Sequence, residues 1–124
     1  MKIYNRREFL KLPDGSTVYH EGKPWFFGDI EIKQETWTNT NDWLYQYFGS
    51  VAADSRTDED ESDLLDDMRS TGASYPLDTS WDRNGMYDED SLFLVYEPED
   101  LDVLIKALSE ARGEVIEDNN NARR

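Results

Sequence analysis

The clearest hydrophobic pattern lies near the C-terminus. Leu92 to Tyr96 is an uninterrupted apolar run, which is typical of a strand in the middle of a sheet with both faces buried. Pro98 then begins a segment whose apolar residues recur every three or four positions, and Gly113 ends it, as expected of an amphipathic helix. The apolar stripe of this helix consists of Leu101, Leu104, Ile105 and Leu108. We expect the stripe to pack on Leu92, Leu94 and Tyr96 and to form the centre of the core.

Four upstream segments have the composition of strands. From Ile30 to Trp37 apolar and polar residues alternate, which predicts a half-buried strand with Ile30 and Ile32 on one side. The charged residues of the other side are Glu31, Lys33 and Glu35. Residues 43–51 are rich in aromatics, which favours a strand, with a helix as the open alternative. Shorter strands are predicted at residues 16–20 and 25–27, the second of them buried, with a turn at residues 21–24.

Capping signals predict two more helices. Asn5 precedes residues 6–12 and Glu8 follows three positions later, which is the pattern of a capping box. Residues 62–70 form the second helix, and Gly72 stands just past its end. The apolar stripe of that helix is Leu64, Leu65 and Met68. Residues 71–90 are predicted to be a long irregular connection.

The order of these elements predicts an α+β fold. We expect a mainly antiparallel sheet of four to five strands, with a short N-terminal helix, a middle helix and a C-terminal helix. A length of 124 residues suits one domain. We assign residues 1–113 to that domain, with an acidic flexible insert near residues 52–62, and residues 114–124 to a polar C-terminal tail. The chain has no apolar run of membrane-spanning length and no signal-peptide pattern, so we expect it in the cytoplasm.

Composition removes several kinds of chemistry. The chain has no cysteine and one histidine, which excludes disulfides, thiolate nucleophiles and His-rich or Cys-based metal sites. No nucleophile-elbow pattern surrounds any serine, and His20 lies on a predicted strand, so we expect a structural or a surface histidine. We therefore predict no catalytic residues, no metal site and no cofactor.

Charge is distributed unevenly along the chain. The formal net charge is −15, and residues 53–103 contain 17 acidic against 3 basic side chains. Such a field repels phosphate backbones and attracts basic surfaces, so we expect a basic protein partner and no direct contact with nucleic acid. The alternative is a solvated face that keeps the protein soluble. The predicted partner-binding residues are Asp58, Glu59, Asp60, Glu61, Asp63, Asp66 and Asp67.

Two further features are candidates for ligand binding. Trp81 and Trp43 are the aromatics proposed to stack on a nucleotide base. The segment that begins at Ser80 has Asp82, Asn84 and Gly85 at spacings similar to part of an EF-hand loop. Because Ser80 and Ser91 stand where that loop needs acidic ligands, an Asn-Gly turn is the better interpretation.

Two short motifs resemble small proteins encoded by tailed phages and prophages. They are Arg7-Glu8-Phe9-Leu10-x-Leu12-Pro13-x-Gly15 and Phe93-x-Val95-Tyr96-Glu97-x-x-Asp100-Leu101. The resemblance implies a setting in which such proteins counter host defence, by masking a nucleic-acid-binding host protein or by sequestering a nucleotide signal.

We therefore predict a non-enzymatic acidic protein that inhibits a host factor by presenting an acidic surface, partly mimicking nucleic acid, to a basic protein. The alternative is a protein that sequesters a nucleotide second messenger. In either case we expect no membrane association, and a homo-oligomer is compatible with both functions.

Overall fold

The computed structural model describes residues 1–37, 39–49, 51–52, 60–84 and 89–113. Seven strands and three helices lie within this part of the chain. In order they are β1 (Lys2–Asn5), α1 (Arg6–Phe9), β2 (Thr17–Lys23), β3 (Phe26–Phe27), β4 (Glu31–Trp37), β5 (Asp42–Tyr47), α2 (Glu61–Thr71), β6 (Trp81–Asn84), β7 (Leu92–Val95) and α3 (Pro98–Arg112).

The strands form one sheet in which neighbouring strands are antiparallel. Their order is β1-β7-β2-β4-β5-β6, and β3 pairs with the end of β2. The α+β prediction is confirmed, and so are the interior position of β7 and the assignment of β5 as a strand. The sheet exceeds the predicted strand count because β1 was not predicted and β6 lies in the region expected to be irregular. Both are four-residue strands with little apolar periodicity.

The capping box at the start of α1 is confirmed. The Asn5 side chain accepts a hydrogen bond from the Glu8 amide at 2.9 Å, and the Glu8 carboxylate accepts from the Asn5 amide at 3.4 Å. The helix ends at Phe9, earlier than predicted, and residues 10–12 continue as tight turns. Because Asn5 ends β1 as well as capping α1, the chain turns sharply from the sheet edge and places Phe9 over one sheet face.

Phe9 is the centre of the core. Its ring stacks on Phe93 at a centroid distance of 4.0 Å and meets the edges of Tyr19 and Trp43 at 4.6 and 5.0 Å. All four side chains have no exposed surface, and Val95 completes the cluster. We call the sheet side that carries Tyr19, Trp43, Phe93 and Val95 the closed face.

The burial of β4 is the reverse of what the alternation of apolar and charged residues predicts. Lys33 is fully buried on the closed face, whereas Ile32 on the opposite side is half-exposed. The ammonium of Lys33 donates to the Leu12 carbonyl oxygen at 2.9 Å and also bonds Asp14 and Thr36. The buried cation therefore has oxygen partners that offset its desolvation, and it ties the turn after α1 to the sheet.

The prediction that the α3 stripe forms the centre of the core is wrong. No residue of α3 is buried, and Ile105 and Leu108 are 59% and 61% exposed. The expected partners Leu92 and Leu94 alternate with Phe93 and Val95, so they lie on the other face of the sheet and remain half-exposed. We call that side the open face. The core forms on the closed face because the α1 turn delivers Phe9 there.

We expect Phe9→Ala to lower the free energy of unfolding by about 3–5 kcal/mol, because it removes a fully buried aromatic side chain and leaves a cavity. Urea denaturation of the parent and the variant measures this difference. The matched control is Ile105→Ala on the exposed stripe of α3, which should change stability by less than about 0.5 kcal/mol. Equal losses in the two variants would contradict the placement of the core.

Candidate interaction surfaces

Helix α2 carries most of the predicted partner-binding residues. Asp60 caps it, with its carboxylate accepting from the Asp63 amide at 3.0 Å, and Gly72 ends it in the left-handed conformation. Leu64 is the one buried residue of this helix, and Leu65 on the predicted stripe is 40% exposed. Met68, the third residue of that stripe, is half-buried. A helix with one fully buried residue presents most of its surface to solvent.

The structure brings the acidic residues of the first α2 turn together. Asp60, Glu61 and Asp63 are exposed there, where the positive end of the helix dipole favours carboxylates. Asp66 is exposed but forms an ion pair with Arg69. Asp67 is half-buried and accepts a hydrogen bond from the Tyr75 hydroxyl. Asp58 and Glu59 lie outside the described residues. We call Asp60, Glu61 and Asp63 the acidic turn.

The two tryptophans predicted to stack on a base have different environments. Trp43 is completely buried, and its indole N–H donates to the Tyr19 hydroxyl oxygen at 2.8 Å. That placement leaves no ring face for a ligand, so the predicted stacking role of Trp43 is wrong. Trp81 is 57% exposed, but it lies on the edge strand β6 and not in a loop.

His20 has a structural position. Its Nδ1 lies 2.7 Å from the Gly28 carbonyl oxygen and its Nε2 lies 2.7 Å from the Tyr96 hydroxyl. Since a carbonyl oxygen only accepts, Nδ1 carries a proton, and in the neutral ring Nε2 accepts from Tyr96. Both nitrogens are thus used to join β2 to the segments after β3 and β7.

The EF-hand-like spacing does not form a cation loop in the described residues. Asp82 and Asn84 lie on β6, paired with β5, and the Asn84 amide donates to the Glu21 carboxylate at 2.9 Å. Gly85 lies outside the described residues, and so does Asp88, which stands at the ninth position of that spacing. Among the residues that the structure does describe, no group of three or more histidine or acidic side chains is arranged to hold a metal.

The sequence pattern predicted two strands and a turn in the region of the β2–β3 hairpin, but it missed the exposure of the aromatics at the tip. Trp25 is 81% exposed and Phe26 is 65% exposed, although residues 25–27 were predicted to be buried. The prediction is wrong because β3 is a two-residue strand that pairs with the end of β2 alone, beyond the reach of β4. The aromatics therefore stand at the tip of a projecting hairpin, where no helix or strand of the described chain covers them.

A carboxylate cluster lies at the base of this hairpin. Burial, together with the charges of Glu21 and Asp29, raises the pKa of Glu31 from its ordinary value of 4.5 to about 7, and a hydrogen bond with the Tyr19 hydroxyl limits the rise. Glu31 is opposite Tyr19 on β2 and Tyr47 on β5, so it lies at the margin of the closed face. We call Glu21, Asp29 and Glu31 the hairpin carboxylates.

A cationic cleft lies on another part of the surface. Its volume is about 730 Å³, its basic lining residues are Arg6, Arg7 and Lys11, and Glu89 is the acidic residue of the lining. Arg6 is 5% exposed, donates to the Asn41 carbonyl oxygen at 2.8 Å and lies 4.8 Å from the centroid of the Trp43 ring. Neither Trp81 nor Trp43 lines the cleft. The cleft therefore has basic side chains that can bind an anion, but neither of these indole rings is available there to stack on a nucleotide base.

No family model, curated protein or solved structure matches this chain. Every helix in the described part of the chain is too short or too polar to span a bilayer.

We expect Glu31→Gln to remove a pH dependence of stability. The folded pKa of Glu31 is raised, so the folded state retains a proton that the unfolded state releases, and stability falls as the pH rises from about 4.5 to about 7. The difference is at most about 3 kcal/mol, and partial solvent exposure reduces it. Urea denaturation at pH 4.5 and pH 7.5 should show the parent losing stability relative to the variant. The control is Glu35→Gln, an exposed position on the same strand, and an equal effect there would contradict the prediction.

Proposed function

We propose that this chain is a small acidic binding protein, without catalytic activity of its own, that presents its carboxylate surface to a basic protein. The observation that carries the proposal is the acidic turn. It places three exposed carboxylates together on a helix that contributes only Leu64 to the interior. The cap and the helix dipole account for carboxylates at these positions, and the exposure of the side chains leaves their charge available to a basic surface.

Electrostatics favours a protein partner over nucleic acid. A formal charge of −15 repels phosphate and accelerates the encounter with a basic surface. The similarity to small phage and prophage proteins supports a host defence factor as the target, and the host cytoplasm as the place of action. That part of the proposal depends on the two motifs alone.

We expect charge reversal of Glu61 and Asp63 to lysine to slow association with the partner by about tenfold or more, because oriented charge steers the encounter. Candidate partners are first captured from a bacterial lysate on the immobilised parent chain. The association rate of each purified candidate with the parent and the variant is then measured at low and high salt. The rate for the parent should also fall as salt screens the contacts over a Debye length of about 10 Å.

The matched control reverses Glu99 and Asp102, two exposed carboxylates near the start of α3. Both variants change the net charge equally and both put lysine at the first turns of a helix. An equal decrease in rate would show that net charge is recognised and the acidic turn is not. An association rate independent of salt would contradict the proposal entirely.

The cationic cleft supports sequestration of a nucleotide as a second candidate function. Its volume falls within the range of small-molecule sites, roughly 300–1,000 Å³. Arg7 and Lys11 are exposed on its lining, and Arg6 is held beneath by Asn41. Three basic side chains against one acidic side chain on its lining make this cleft a candidate site for phosphate groups, and the buried Arg6 also lies 3.9 Å from the Asp42 carboxylate.

If the second candidate is correct, cyclic or linear dinucleotides should raise the melting temperature. Binding to the native state alone stabilises by about 2.7 kcal/mol at a hundredfold excess over the dissociation constant. Lys11→Glu should abolish the shift, whereas Lys106→Glu on the exposed surface of α3 should preserve it. The absence of a shift at millimolar concentration, or equal losses in both variants, would contradict this function.

A further inference from the structure

The tip of the β2–β3 hairpin has two adjacent aromatics that the core does not use. Trp25 has the greatest exposed fraction among the large apolar side chains of the described residues, and Phe26 follows it directly. Both rings are exposed to water, and transfer of either ring into an apolar site would lower the free energy. Single apolar residues at a surface are ordinary, but an exposed adjacent pair of this size is typical of an interaction site.

The hairpin is held in one conformation by its own sequence. A Cβ at Gly22 would lie 2.0 Å from the Phe26 carbonyl oxygen, so only glycine lets the two strands approach this closely. Pro24 restricts the turn. At the base, the Gly28 amide donates to the Glu21 carbonyl oxygen at 2.8 Å, and His20 binds the Gly28 carbonyl oxygen. A tip ordered before binding loses less conformational entropy when it docks.

The charges around the tip define the partner's complementary surface. Glu21 lies on β2 two positions before Lys23, and the exposed Asp29 lies two positions after the end of β3. Lys23, opposite Phe26, is the basic residue of the hairpin itself. The aromatic pair therefore stands on a predominantly acidic base, which opposes approach to an anionic lipid surface and favours a cationic rim.

We infer that Trp25 and Phe26 are the apolar anchor of the interface, and that they enter an apolar pocket rimmed by basic side chains on the protein partner. This inference rests on the proposed function and specifies it. Steering comes from the distributed carboxylates, and the lifetime of the complex comes from the buried aromatics. Tryptophan in a desolvated pocket surrounded by polar contacts is typical of the residues that dominate binding energy.

The test uses a probe with the chemistry inferred for the pocket. Amino-β-cyclodextrin has an apolar cavity and a rim of ammonium groups, and neutral β-cyclodextrin has the cavity without the charge. Titration calorimetry of the full chain should show binding to the cationic ring that is at least about tenfold tighter than binding to the neutral ring. Added salt should reduce this difference, because it screens the rim charges.

Two variants and a matched control locate the binding. Trp25→Ala and Phe26→Ala should each weaken binding of the cationic ring by about fivefold or more, while Trp81→Ala, which removes another exposed indole, should leave it unchanged. Melting curves should match the parent, because both tip side chains are exposed. The Glu61→Lys, Asp63→Lys variant should retain binding of the ring, so failure of the acidic turn and failure of the tip give different results.

Four results would overturn the inference. Equal affinity for the cationic and the neutral ring would contradict the basic rim of the inferred pocket. Equal losses of affinity in Trp25→Ala and Trp81→Ala would show that indoles bind without regard to position. Trp25-dependent binding to phosphatidylserine vesicles, with none to the cationic ring, would assign the tip to a membrane. A concentration-dependent dimer, seen by sedimentation and lost in Trp25→Ala, would assign it to a second copy of the chain.

Discussion

The packing of Phe9 against Phe93, Tyr19 and Trp43 determines which side of the sheet becomes the interior. Phe9 reaches that position because a single asparagine ends β1 and caps α1, so the helix cannot lie far from the sheet edge. The same turn brings the Leu12 carbonyl oxygen over β4, where it accepts a hydrogen bond from Lys33. One local capping arrangement thus fixes the aromatic core and provides a partner for the buried lysine.

A core built from so short a helix covers only one sheet face. The open face retains half-exposed apolar residues, and the apolar stripe of α3 contributes no buried residue. Much of the stability of this domain therefore depends on a few large aromatic rings and not on an extended apolar layer. Because the core is this small, the exposed residues of α2, α3 and the tip of the β2–β3 hairpin can vary in charge and polarity without disturbing the interior.

The charged surfaces have distinct physical characters. The acidic turn is solvent-exposed and is stabilised by the helix dipole, so its charge persists at neutral pH and acts at a distance. The hairpin carboxylates lie at the margin of the core, where burial raises the pKa of Glu31 to about 7. The cationic cleft lies beside α1, the segment that supports the core. A substitution in the cleft thus carries a greater risk to folding than one in the acidic turn.

Local signals in the sequence determined the elements that have capped ends or a strong apolar pattern. The capping box at Asn5, the left-handed glycines after α2 and α3, and the apolar strand β7 are all properties of short segments. The acidic turn was also predictable, because consecutive acidic residues at the start of a helix remain in solvent. The strands β1 and β6 were not, since their pairing is supplied by neighbours distant in sequence.

Tertiary structure alone decided which apolar residues are buried. The stripe of α3 has the most regular periodicity in the chain, yet none of its side chains is buried. Phe9 covers the closed face, and on the open face the expected partners Leu92 and Leu94 remain half-exposed. Trp25 and Phe26 have a composition typical of a buried strand, yet they project because β3 has a partner on one side only. Periodicity identifies a face that can be buried, whereas burial requires an opposing surface, and the chain path determines where that surface lies.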